Sequence, residues 1–310
     1  MDHAHDHHAV AHGSPAGRAL AIAFALTCLM LVIEAAGGVI SGSLALLADA
    51  GHMLVDAASL LLAWAAAHFA SRPADARRSF GYARLEVLAG FVNALVQVLL
   101  VAWIVYEAVR RLVNLNETEI RSGVMLGVAL AGLLANGIVL RMLHARESGD
   151  LNTAAASLHV FGDLLGSLAT VAAALLVRYL DWAWADPALS LVVSLLILRG
   201  AWQLLYRSSH ILLEGVPEGV RTEDIRAALA ASNAAIVEVH HVHVWLIASG
   251  SRMATLHARL CDGSDTQAQL RAIKRVLRER FAIDHATVEI ELGECADEAS
   301  DCAPGETHHH

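Results

Sequence analysis

Charge is scarce in this chain. Asp, Glu, Lys and Arg make up 17% of its 310 residues against 56% hydrophobic ones, with a mean hydropathy of +0.51. That balance is too apolar for an ordinary soluble domain of this length. Cysteine is scarce as well. Cys28, Cys261, Cys295 and Cys302 form no paired framework, and only the last two are close in sequence, which excludes a disulfide scaffold. Positive charge is not in excess: the net charge of -9 lies mostly after residue 214 and in the tails, while arginines gather at the loops of the apolar part. No polyanion-binding surface is implied, and nucleic acid is not an expected partner. A cleavable export signal is not expected either. The first apolar run follows a His-rich, partly acidic segment with a single nearby Arg18 and outlasts a signal-peptide core, so it reads as a retained helix.

What is present are long apolar runs. A spanning helix needs roughly 20 mainly apolar residues. Such runs recur at 18–40, 43–70, 84–112, 120–143, 153–180 and 186–206, which predicts six spans. Arg72, Arg77, Arg78 and Arg84 follow span 2, Arg141 and Arg146 follow span 4, and Arg207 follows span 6. The excess of arginine on these loops places them, and both termini, in the cytoplasm. Trp182 and Trp184 suit the aromatic belt on the far side.

After Arg207 the pattern changes. Residues 222–233 read as a helix, 235–247 and 252–261 as strands, 265–281 as an amphipathic helix and 286–292 as a strand. The order αββαβ predicts a small two-layer domain, an antiparallel sheet with two helices on one face. The expected fold class is therefore an α-helical membrane protein, a six-transmembrane-helix bundle with a C-terminal cytoplasmic α+β domain. Its divisions are a His-rich tail at 1–17, the bundle at 18–207, the cytoplasmic domain at 208–294 and a Cys/His-containing tail at 295–310.

The chemistry lies inside the spans. Span 2 holds Asp49, His52 and Asp56 at intervals of three and four, which puts all three on one helical face. Span 5 repeats the pair with His159 and Asp163, again four apart. Ionisable groups in hydrocarbon are expensive and must pair, face water or hold something. A metal is the simplest common partner. Two imidazoles and two carboxylates form a tetrahedral set suited to Zn2+, with Cd2+, Co2+ or Ni2+ possible, whereas Mg2+ and Ca2+ prefer all-oxygen shells. Spans 2 and 5 run in opposite directions, so one shared site near the midplane is permitted, as in transporters with inverted repeats. Removing the metal leaves close carboxylates that take up protons, so metal-for-proton exchange is expected. The competing readings are hydrogen-bonded helix packing by each pair and bis-histidine haem ligation by His52 and His159, which leaves both aspartates unexplained.

The run SLALLADAGHMLVD at 43–56 resembles the signature of cation diffusion facilitators, and LHVFGDLLGS at 158–167 resembles that family's second motif. The resemblance continues through RSFGYARLEVLAGFVNAL, the pair Asp186–Pro187, VHHVHVW at 239–245 and HATVEIEL with a following Cys, and is nearest to the bacterial zinc-efflux branch. It implies a homodimer of six-helix protomers in the bacterial inner membrane, each with a ferredoxin-like cytoplasmic domain, exporting metal in exchange for protons. The resemblance implies a transporter rather than an enzyme. The family's transport ligands fall on His52, Asp56, His159 and Asp163, and Asp49 takes an accessory position. Some relatives bind an ion in the loop between spans 2 and 3. Here Asp75 is present, but Arg78 and Tyr82 stand where histidine is expected, so no loop site is implied.

The cytoplasmic domain is rich in soft ligands: His240, His241, His243, His257, His285, Glu291, Cys295 and Cys302. Strict alternation puts His241 and His243 on one face of the first strand and His240 on the other. The expected cluster is His241, His257, His285 and Cys295, with Glu291 and His240 nearby; it resembles the family's regulatory metal region at the dimer interface. His3, His5, His7, His8 and His12 suit loose metal collection, as does the closing run His308–His310 if native. Glu34, Glu86, Asn93, Gln97 and Asn136 read as interhelical hydrogen-bond partners, and small residues such as Gly37, Gly38, Gly162 and Gly166 as close helix contacts. A metal sensor that signals through its cytoplasmic domain without transport is the alternative function.

Overall fold

The computed structural model describes residues 15–70, 72–114, 119–144, 151–248 and 250–293; side chains at 15–24, 63, 67, 70, 142–144 and 151–159 fall outside that description. The His-rich ends, Arg146, Cys295, Cys302 and the imidazole of His159 therefore lie outside the described residues.

Six long helices come first: α1 (Pro15–Ser41), α2 (Leu44–Ala70), α3 (Arg84–Val113), α4 (Ser122–His144), α5 (Leu151–Leu180) and α6 (Ala185–Leu212). Each apolar run produced one helix. Helices α2 to α6 each contain a stretch long and apolar enough to cross a bilayer. In α1 the described apolar part is the shorter Ala25–Ser41, within a helix of 27 residues. At 1.5 Å per residue such a helix reaches roughly 40 Å, longer than the roughly 30 Å hydrocarbon layer. Only 17% of the most apolar window of α6 is buried in the chain, and Leu195, Leu196 and Trp202 are exposed. An apolar surface this bare in water is untenable, and lipid satisfies it.

The chain divides into two compact units, one running to Leu61 and resuming over Val92–Gln203, the other combining Leu62–Phe91 with the segment from Leu204 onward. In the first, α4 packs against α5 and against α1. Small residues allow the approach: a Cβ on Gly37 would meet Val128 Cγ2 at 2.6 Å. Asn136 on α4 donates to Ser167 Oγ on α5 at 3.0 Å, an interhelical bond of the expected kind. By contrast, a Cβ on Gly162 would meet nothing within 4 Å, so this glycine borders open space.

The second unit carries α7 (Thr222–Ser232), β1 (Ile236–Ala248), β2 (Ser251–Leu260), α8 (Thr266–Phe281) and β3 (Ile283–Glu291). Asp265 caps α8 by accepting from the amides of Gln267 and Ala268, and Ala282 closes it in the left-handed region at φ 53°. Ile225 and Leu229 of α7 and Ile273 and Leu277 of α8 join Val239, Val242, Val244, Leu256, Ala258 and Ile283 in one core. The sheet order is β1-β2-β3, with β1 and β2 antiparallel but β2 and β3 parallel. The expected all-antiparallel sheet is corrected here. Helix α8 returns the chain to the end of the sheet from which β2 began, so β3 runs alongside β2 as in any βαβ crossover.

Candidate metal centre

The position of α2 is set at its first turn. Gly42, at φ 72°, makes the bend between α1 and α2, and a Cβ there would lie 2.9 Å from the Glu119 carbonyl oxygen. Ser43 Oγ accepts from the Leu46 amide at 3.2 Å as an N-cap and donates to Asp186 Oδ1 at 2.6 Å. Asp186, fully buried at the start of α6, also accepts from the amides of Leu44 at 2.7 Å and Ala45 at 3.2 Å. Its negative charge thus sits on the positive end of α2. Arg111 donates to the Gly42 carbonyl at 2.5 Å and bonds Glu107, tying α3 to the same corner.

Further along α2 come Asp49, His52 and Asp56. His52 Nε2 lies 3.4 Å from Asp56 Oδ2, the two side chains being 19% and 29% exposed. Gln97 of α3 places its Nε2 3.1 Å from His52 Nδ1. Asp49, His52 and Gln97 line a cavity of about 440 Å³ together with Gly162, Asp163 and Gly166 of α5, and α6 closes it with Leu189, Val192 and Leu196. Asp163 of α5 therefore faces the same space as His52 of α2. Asp49, 8% exposed, also hydrogen-bonds Glu34 of α1, a side chain only 1% exposed. A Cβ on Gly132 of α4 would come within 2.5 Å of Glu34 Oε1, so α4 needs a glycine opposite this carboxyl. Sequence reading gave Glu34 as an interhelical hydrogen-bond partner without saying of what. Its spacing from other acids is not periodic, and nothing local signals that α1 brings it to Asp49.

In the second unit, metal-ligating groups converge on the sheet face away from α7 and α8. His240 Nε2 lies 3.2 Å from Glu291 Oε2, and His257 Nδ1 lies 3.0 Å from Glu291 Oε1. One donor atom from each of His240, His257 and Glu291 falls within 4.8 Å of the others. His241 joins them, its ring 4.9 Å from that of His257 and 5.3 Å from that of His240. Strict alternation does not hold on β1. The pairing shifts between His240↔His257 and His243↔Thr255, and His241 takes φ 48°, so a bulge at this point turns two consecutive histidines toward one face. The signal was present as VHHV: Val239 and Val242 are both core residues three apart, which period 2 cannot supply without an extra residue. His285 is not brought to this cluster. It pairs with Met253, its ring meets Phe80 edge-on at 6.4 Å, and it precedes Glu291 by six residues. That separation is about 20 Å at the usual strand rise.

The α2–α3 loop uses Asp75 for its own turn. Its carboxylate accepts from the Tyr82 hydroxyl at 2.6 Å and from the amides of Arg77 and Arg78 at 2.8 Å each. These bonds, the Tyr82 one foremost, hold Asp75 below the usual carboxylate range. The Arg78 guanidinium covers the Tyr82 ring at 4.7 Å.

Apolar helices bearing an acid and imidazole cavity, followed by a small domain with a second ligand cluster, define a membrane protein that handles cations. Residues 20–213 match the cation efflux transmembrane domain, and residues 217–292 match the cytoplasmic domain of cation efflux proteins. The chain belongs to the cation efflux family. It is 43% identical to the zinc transporter ZitB of Pectobacterium atrosepticum, covering 99% of this chain and 94% of the relative. It is 39% identical to the metal cation efflux system protein CzcD of Cupriavidus metallidurans, over 94% of this chain and 90% of the relative. A cadmium, cobalt and zinc/H(+)-K(+) antiporter of Bacillus velezensis is 36% identical over 94% and 92%.

Proposed function

We infer that this chain is a zinc efflux transporter that also accepts related divalent cations, exporting metal from the cytoplasm in exchange for protons. The observation that carries the reading is the cavity where His52 and Asp49 of α2 meet Asp163 of α5 within apolar helices. Asp56, beside His52, and His159, one turn before Asp163 on α5, complete the transport ligands. Two carboxylates neutralise a divalent cargo, and protons replace it when it leaves, since bare carboxylates in a low-dielectric site repel one another. The names of the relatives, zinc transporters and a cadmium, cobalt and zinc antiporter, agree with this cargo and coupling. The arginine bias of the loops supports cytoplasmic termini in a bacterial inner membrane.

The donor set of His240, His257 and Glu291, with His241 alongside, fits a divalent ion such as zinc; His240 Nε2 meets Glu291 Oε2, and its Nδ1 has no hydrogen-bond partner among the described residues. Metal held there would act on the cytoplasmic domain and its pairing in a homodimer, apart from the transport path. In inside-out vesicles, Asp56→Ala and Asp163→Ala are expected to abolish zinc uptake driven by a proton gradient. Uptake at the native rate overturns the reading, and metal-dependent domain movement without flux points to a sensor.

A further inference from the structure

The cavity contains one polar group that carries no charge and is not among the proposed ligands. Gln97 lies in the middle of α3, one turn after Asn93 in a largely apolar stretch, and is 8% exposed. A buried amide in a membrane span is costly unless it is bonded. Its partner is a proposed ligand: Gln97 Nε2 stands 3.1 Å from His52 Nδ1.

Where the amide NH2 donates, Nδ1 accepts and a neutral ring carries its hydrogen on Nε2. That nitrogen faces Asp56 Oδ2 at 3.4 Å. A ligating nitrogen must instead be bare. If Nε2 takes the metal, it gives up its hydrogen to solvent, Nδ1 gains one, and the ring stays neutral. Nδ1 then needs an acceptor, and the same amide supplies one through Oε1 after a half-turn of its end. A carboxylate offers only the acceptor and an ammonium only the donor.

We propose that Gln97 is a positioning residue that holds the His52 ring in both the metal-free and the metal-bound state, using the two ends of its amide in turn. The proposal rests on His52 being a transport ligand, and it accounts for an uncharged residue at this place. Partners of this kind set the orientation and basicity of ligating imidazoles, and their loss lowers metal affinity about 10–100-fold.

The test measures zinc affinity by calorimetry on the full-length detergent-solubilised protein, and KM and maximal flux in proteoliposomes. Gln97→Met removes both ends of the amide and is expected to weaken zinc binding and raise KM about 10–100-fold. Gln97→Glu keeps the acceptor and loses the donor. It is expected to bind zinc at least as tightly as the native chain but to turn over about tenfold more slowly, because the metal-free ring loses its bond. A packing defect alone would weaken binding in both variants, and that result overturns the proposal, as does native affinity with native KM in Gln97→Met. Should Gln97→Met fail to fold, Gln97→Glu decides alone: tight binding with slow turnover supports the proposal, and weak binding overturns it. Asp163→Ala is run in parallel. Native flux in that variant overturns the transport site itself, whatever the Gln97 variants show.

Discussion

Replacing Asp186 tests how α2 is held in place. Its carboxylate accepts the Ser43 hydroxyl and the amides of Leu44 and Ala45, in a corner that is fully buried. Asp186→Ala strands those three donors. Leaving a buried donor unsatisfied costs roughly 1–3 kcal/mol, and loss of a negative charge at a helix N-terminus adds up to about 2 kcal/mol in buried geometries. Water entering the vacated space repairs part of this, so a loss on the order of 3–5 kcal/mol is expected. Asp186→Asn retains one acceptor oxygen for the two amides and should lose about half as much. Because membrane proteins commonly unfold irreversibly, the assay is the temperature at which half the detergent-solubilised protein still elutes as a single species. The expected order is native, then Asn, then Ala, with Ala about 10 °C below native. An Ala variant as heat-resistant as the native chain would refute the reasoning, because it would mean that the α2 terminus is satisfied without α6.

Two further outcomes follow from the second unit. His257→Ala should lower zinc content measured by elemental analysis of the full-length protein by about one ion per chain while leaving flux at saturating zinc close to native, since one removed ligand generally opens a site of three or four donors; an unchanged metal content counts against the cluster of His240, His257 and Glu291. Tyr82→Phe should raise the Asp75 pKa toward the ordinary aspartate value near ~4. The folded-state pKa is depressed, so the contribution of Asp75 is present above that ordinary value and lost as pH falls through the folded one. Without the Tyr82 bond the folded carboxyl protonates at higher pH and the contribution is smaller, as a carbon-13 titration of the Asp75 carboxyl would show, and an unshifted titration would contradict it.

Much of the architecture was legible because the bilayer imposes it. Apolar runs of the required length each became one helix, and the terminal αββαβ order followed from periods of 3.6 and 2. The proposed transport residues read as pairs because residues four apart on a helix share a face. Their assembly was not legible, since it depends on which helices adjoin: Glu34 reaches Asp49 from α1, and Gln97 reaches His52 from 45 positions away. Asp186 caps α2 from 142 residues downstream of Leu44, and no local pattern announces a cap lent by another helix. On β1 the strict alternation rule divided the histidines wrongly. A single left-handed residue, His241, sets His240 and His241 on the face that holds His257, while His285 lies too far along β3 to join them. The direction of β3 required knowing that a helix between strands makes a crossover.

The central claim is that metal and protons exchange at one site formed by α2 and α5. Its most direct test is a zinc pulse applied to proteoliposomes holding a trapped zinc indicator and a trapped pH indicator. The native protein is expected to move zinc inward and protons outward with matching time courses, and Asp163→Ala to move neither. Zinc entry without proton movement, or undiminished exchange in Asp163→Ala, would contradict the account.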